Sequence, residues 1–90
     1  MEIRERKALK ARAHALEPVV HVGEKGLTDP VLAEIDRALA AHELIKVRAG
    51  AMDREARDAA LRQICARLGA QAVQHIGKVL VVYRAKPETG

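Results

Sequence analysis

The apolar positions of this 90-residue chain fall into alternating helical and strand periods, and their order outlines a fold. From residue 3 to 15 the spacing predicts a helix. Leu9, Ala13 and Leu16 share one narrow apolar stripe, and Arg4, Lys7, Lys10 and His14 gather on the other side. Pro18 closes this segment, because the residue before a proline is pushed out of the helical region. Val19, Val20 and Val22 predict a short β-branched strand over 19–22 that ends at Gly23. Thr28 or Asp29 can cap the next helix, and Pro30 is tolerated in its first turn. That helix, over 30–42, places Val31, Leu32, Ile35, Ala38, Leu39 and His42 on one arc, with Glu34, Asp36 and Arg37 opposite.

Residues 44–49 alternate strictly. Ile45, Val47 and Ala49 share one side and Lys46 and Arg48 the other, which predicts a half-buried strand with a cationic outer face. Asp53 is the expected N-cap of a third helix reaching Leu68, and Gly69 is its terminator. Leu61, Ile64, Cys65 and Leu68 form its buried stripe. Arg57 falls on the same stripe, so its stem should run along the core edge with its head in water. Two strands over 71–76 and 78–84 follow, joined by a two-residue turn with Gly77 first. Val79 to Tyr83 is apolar on both faces, as suits a central strand.

The predicted order is therefore helix, strand, helix, strand, helix, strand, strand. Strand–helix–strand crossovers favour parallel pairing and the closing hairpin adds an antiparallel pair. The expected fold class is mixed α/β (α+β), with a four-stranded mixed sheet in one domain over residues 1–85 and a polar tail over 86–90.

Composition narrows what such a domain can do. A single cysteine excludes an internal disulfide framework and fits a reducing compartment. The charged N-terminus does not look like a signal peptide, and no apolar run approaches the roughly 18 residues of a membrane span. A cytoplasmic, soluble protein is expected, with no membrane partner. The net charge of +4 fits a polyanionic partner. Residues 1–16 carry +3, residues 17–45 carry −4 and residues 46–90 carry +5, so any basic surface must be assembled by folding.

Catalytic constellations are hard to assemble from these residues. Four scattered histidines and one cysteine give no pair at metal-ligand spacing, and no Ser/His/Asp set or paired acid–base carboxylates emerge. Cys65 reads as a plain buried thiol and His42 as a ring packed at a helix end. The expectation is a protein that is not an enzyme, with no cofactor and no small-molecule substrate. The segment that suggests chemistry is Gly23-Glu24-Lys25-Gly26, followed by Leu27 and Thr28. Two glycines around a lysine, after a strand and before a helix, can bring backbone amides and a cation to a phosphate. The spacing alone is common by chance; its strand-to-helix context makes it more selective. Glu24 would oppose a phosphate and should point away. With Tyr83 as the single aromatic residue, base stacking on aromatic rings cannot dominate, which leaves backbone contact and recognition of RNA shape.

Three stretches together carry a family resemblance over nearly the whole chain. Leu9-Lys10, Ala13-His14, Pro18-Val19-Val20 and Val22 to Thr28 resemble the opening of a CRM (chloroplast RNA splicing and ribosome maturation) domain. Glu43 to Val47 and Ile76 to Arg84 resemble its other two signatures. The chain is similar to the stand-alone bacterial YhbY-type members. That resemblance implies a two-layer fold like the C-terminal domain of translation initiation factor three, with strand four antiparallel to the others. It also implies association with precursors of the large ribosomal subunit, and a phosphate-gripping loop over Gly23, Glu24, Lys25 and Gly26. Lys10, Lys46 and Arg84 match its basic positions.

The expected RNA-binding set is thus Gly23, Glu24, Lys25, Gly26 and Thr28, ringed by Arg4, Lys7, Lys10, Lys46, Arg48 and Arg84. The expected function is that of a non-catalytic, monomeric assembly factor holding rRNA. A general RNA chaperone or intron-associated factor is the first alternative. A protein–protein adaptor using the acidic second helix is the second.

Overall fold

The computed structural model describes residues 1–87, so part of the polar tail, residues 88–90, lies outside the described residues. The elements follow the expected order: α1 (Ile3–Ala13), β1 (Pro18–His21), α2 (Asp29–His42), β2 (Leu44–Arg48), α3 (Arg54–Leu68), β3 (Gln71–Ile76) and β4 (Val79–Tyr83). The strands form one sheet in the order β1-β2-β4-β3. β1 and β2 are parallel, and β4 runs antiparallel to both its neighbours, β2 and β3. As its two-sided apolar sequence requires, β4 is internal, with Leu80, Val81 and Val82 fully buried.

The caps explain where the helices begin and end. The Thr28 hydroxyl accepts from the Val31 amide at 3.4 Å, and the Asp53 carboxylate accepts from the Ala56 amide at 2.8 Å. Gly69, at φ +63°, closes α3 in the left-handed conformation that glycine adopts without a Cβ clash. The β3–β4 turn has Gly77 at φ +56°, the position where a type II′ hairpin turn needs glycine.

The principal core lies on one face of the sheet. Leu32, Ile35 and Leu39 of α2 and Ala60, Leu61 and Ile64 of α3 pack there on Val20, Ile45, Val47, Leu80 and Val82. Each fully buried aliphatic side chain of this kind contributes about 1.5–3 kcal/mol. On the expected two-layer plan, α1 is the departure. It crosses the opposite face, where Leu9 and Ala13 cover Leu44, Val73 and Val81. The physical reason is the alternation along β2 and β4, which leaves apolar side chains on both faces. Helix α1 is shorter than the pattern suggested, and Leu16 lies beyond its end and is exposed. It covers only part of that face.

All three parallel strands, β1, β2 and β3, point the same way. Their C-terminal ends therefore deliver the Gly23–Gly26 loop, the Gly50 turn and the Gly77–Lys78 hairpin to one end of the sheet.

Candidate nucleic-acid interface

The loop between β1 and α2 is a tight, exposed turn. The Gly26 amide donates to the Gly23 carbonyl at 3.0 Å, and the Thr28 amide donates to the Gly26 carbonyl at 3.0 Å. Gly26 has φ +75°, which an L-residue with a Cβ adopts only at a cost. Open space surrounds the missing Cβ at both Gly23 and Gly26, so a partner could approach the backbone closely. Leu27 fixes the loop from beneath by packing on the core, in a shallow groove that it shares with Met52 and Ala56. Glu24 and Lys25 are exposed, and Lys25 makes no hydrogen bond or ion pair among the described residues.

The backbone donors offered by this loop differ from the expectation. Pro30 has no N–H, the Val31 amide is consumed by the Thr28 hydroxyl, and the Leu32 amide begins the helical ladder at the Thr28 carbonyl. At the start of α2 only the Asp29 amide remains, beside its own carboxylate. The N-terminus of α2 is therefore a poor anion site, and Thr28 is a capping residue first. Within the turn, the amides of Glu24, Lys25 and Leu27 have no protein acceptor among the described residues. These, not the helix amides, are the donors available to a phosphate.

Cations from other elements gather at the same end of the sheet. Arg48, at the end of β2, is exposed, and its carbonyl accepts from the Val22 amide at 2.8 Å, which ties the start of the loop to β2. Lys78 of the hairpin converges on the same place. A Cβ placed on Gly50 would meet Lys78 Cδ at 3.5 Å and Arg48 Nε at 3.8 Å. Arg54, in the first turn of α3, is also exposed and lines a small polar cleft with Arg57, His75 and Gly77. Lys78 and Arg54 were missed from sequence. The signal that could have found them is topological: residues that follow parallel strands end up together.

The remaining expected cations divide. Lys10 of α1 lines a groove with His14, Lys46 and Gln74. Lys46 is half-buried, and its ammonium donates to the Leu16 carbonyl at 2.9 Å, so it ties the α1–β1 connection to β2. Arg4 and Lys7 are exposed on α1 and make no side-chain hydrogen bond among the described residues. Arg84 is the clear correction. Its guanidinium donates to the Asp36 carboxylate at 2.6 Å, the Leu68 carbonyl at 3.0 Å and the Asp36 carbonyl at 3.1 Å. It therefore bolts α2 to the end of α3 at the far end of the sheet, where it is structural. The same bond engages Asp36 and so shrinks the free acidic face of α2.

Arg57 is a second correction. Its head is not free in water: half-buried at the polar cleft, it donates to the Met52 carbonyl and, at 3.2 Å, to His75 Nε2. The His75 Nδ1 donates to the Asp58 carboxylate at 2.6 Å, and Nε2 lies between the Arg57 guanidinium and the Gly77 carbonyl, 3.1 Å away. The His75 hydrogen bond holds the Asp58 carboxyl below its ordinary 3.8, opposed by desolvation and aided by the charges of His75, Arg54 and Arg62. This network pins α3 to the β3–β4 hairpin and so positions Lys78. Burial raises the Cys65 thiol, in keeping with a structural side chain. His42, expected to pack its ring, is exposed.

No group of three or more His, Cys, Asp or Glu residues among those described is placed to hold a metal ion, and no described helix is long and apolar enough to cross a membrane.

Comparison with known proteins adds a lineage to this geometry. Residues 1–84 match the model of the CRS1 / YhbY (CRM) domain. A Pseudomonas aeruginosa protein named "probable RNA-binding protein" is 46% identical over 84 residues, covering 93% of this chain and 81% of the relative. A Haemophilus influenzae "RNA-binding protein" is 44% identical over 88 residues, covering 98% of this chain and 89% of the relative. The solution structure of a hypothetical protein from Staphylococcus aureus superposes with a TM-score of 0.84 at 25% identity, over 97% of this chain and 91% of that one.

Proposed function

The chain belongs to the CRS1 / YhbY (CRM) domain family, and from that premise we propose that it binds structured RNA without catalysing a reaction on it. The observation that carries this reading is the meeting of two features at one end of the sheet. There the exposed Gly23–Gly26 turn offers free amides, and Arg48, Lys78 and Arg54 stand without protein partners among the described residues. Two relatives named for RNA binding support it. The turn, flanked by Glu24 and Asp29, contributes geometry and hydrogen bonds, and the neighbouring strands and α3 contribute the field.

We further propose that the RNA is rRNA in precursors of the large ribosomal subunit, held by a cytoplasmic, monomeric assembly factor. Such a role needs affinity for a folded shape and no turnover. The resemblance to the stand-alone bacterial members supports this assignment.

Two measurements test the reading. In a salt titration with a structured rRNA fragment, log K should fall linearly with log salt, and Lys25→Ala should reduce the slope by about 1. In gradient sedimentation of cell extracts, the protein should travel with large-subunit precursors and be depleted from mature ribosomes. Weak, salt-insensitive RNA binding would favour the adaptor reading instead. Unchanged binding by both Lys25→Ala and Gly26→Asp would remove the turn from the interface.

A further inference from the structure

Helix α1 leaves one row of its sheet face uncovered. The strand registers place His21 beside Arg48, Arg48 beside Val79 and Val79 beside Ile76, so one row of residues crosses all four strands. At about 4.8 Å per strand the row spans about 14 Å. These side chains point away from the main core, because their neighbours Val20, Val47 and Leu80 point into it. His21, Arg48 and Ile76 are exposed, Ile76 at 51%, and Val79 is half-buried. The next row, Lys46, Val81 and Gln74, lies along the groove whose α1 side is Lys10, Ala13 and His14. None of these residues carries a carboxylate.

We propose that this uncovered row seats unpaired RNA nucleotides, their bases lying on the imidazole, the guanidinium and the Val79–Ile76 apolar strip. The inference rests on the RNA reading above and adds the kind of RNA recognised. Bases stack on histidine rings and arginine planes as well as on larger aromatics, so the scarcity of aromatic residues does not prevent it. The faces of a base inside a duplex are already stacked and cannot reach this row. The charge also suits the occupant. Lys10 and His14 flank the row on α1, and the Gly23–Gly26 turn begins two residues after His21. A strand whose backbone meets that turn would have its next bases over the sheet.

The test compares two RNAs of equal length by fluorescence anisotropy, a hairpin with an unpaired loop and a blunt duplex without one. The wild type, His21→Ala and Ile76→Ser are each titrated. Both substitutions lie at exposed positions outside the core. We expect them to weaken loop-RNA binding about tenfold each while changing duplex binding less than about twofold. In parallel, methyl NMR of the wild type should show upfield ring-current shifts of Ile76 and Val79 with loop RNA and not with duplex. Loop and duplex binding weakened equally, or unshifted methyl signals with bound loop RNA, would overturn the inference while leaving RNA binding intact. Shifts produced by a polyglutamate peptide but not by loop RNA would assign the row to an acidic protein partner and overturn it as well. Failure of the wild type to bind either RNA would overturn both the inference and the reading beneath it.

Discussion

Arg48 and Arg84 sit at opposite ends of the same sheet, and the difference between them separates binding from folding in this molecule. Arg48 ends β2 and Arg84 follows β4, and both looked in sequence like contributors to one basic surface. Arg84 makes three hydrogen bonds, to Asp36 and Leu68, that join α2 to α3. Arg48 makes no side-chain hydrogen bond or ion pair among the described residues, and lies beside Lys78 over Gly50. A cation whose donors are already engaged has little to offer a phosphate, whereas a solvated one can exchange water and counterions for RNA. The end of the sheet that holds the helices together and the end left open to a partner are thus distinguished by hydrogen-bond accounting, not by charge.

The comparison breaks if the two arginines behave alike. Arg84→Ala should destabilise the fold by about 2 kcal/mol in urea titration, an amount kept modest because the pair is partly solvated. RNA affinity of the remaining folded protein should change less than about twofold. Arg48→Ala and Lys78→Ala should do the reverse. Their urea midpoints should hold, while each lowers the salt slope of RNA binding by about 0.7–0.9.

Smaller effects sharpen the picture within the open end. Gly26→Ala must force a Cβ into φ +75°, at a cost of about 1 kcal/mol by thermal melting, and should weaken RNA binding by deforming the turn. Gly23→Ala meets open space at ordinary φ and should leave stability unchanged. Smallest is Asp58→Asn. Because the folded carboxyl lies below its ordinary value, its contribution is fully present above that value and is lost as pH falls through the folded one. The variant should therefore be slightly less stable than the wild type at pH 7, and the gap should close on acidification to below pH 3.8.

How much of this was legible in the sequence follows from which interactions are local. Strand and helix periods, the Thr28 and Asp53 caps, Gly69 and the Gly77 turn are decided by neighbours in the chain, and apart from the early end of α1 and one-residue shifts at strand ends they are found where the pattern put them. The internal place of β4 was legible because Val79 to Tyr83 is apolar in both phases. Position α1 on the second face, and the same two-phase pattern explains it, but only after the sheet order is known. The site was less legible because it is built from long-range pairings. Arg84 reaches Asp36 across 48 residues of chain, Lys46 reaches Leu16 across 30, and Arg57 reaches His75 across 18. Each turned an apparently free side chain into a structural one. Lys78 and Arg54, by contrast, came to the same end of the sheet as the turn only through parallel pairing.

The central claim is that RNA is held at the end of the sheet carrying the Gly23–Gly26 turn. Its most direct measurement is amide chemical-shift mapping of the uniformly labelled protein during titration with a structured rRNA fragment. The account predicts that the largest changes fall on residues 23–27, 48–54 and 77–78, with Asp36, Leu68 and Arg84 unmoved. Changes centred on Asp36, Leu68 and Arg84 instead, with the turn silent, would contradict it.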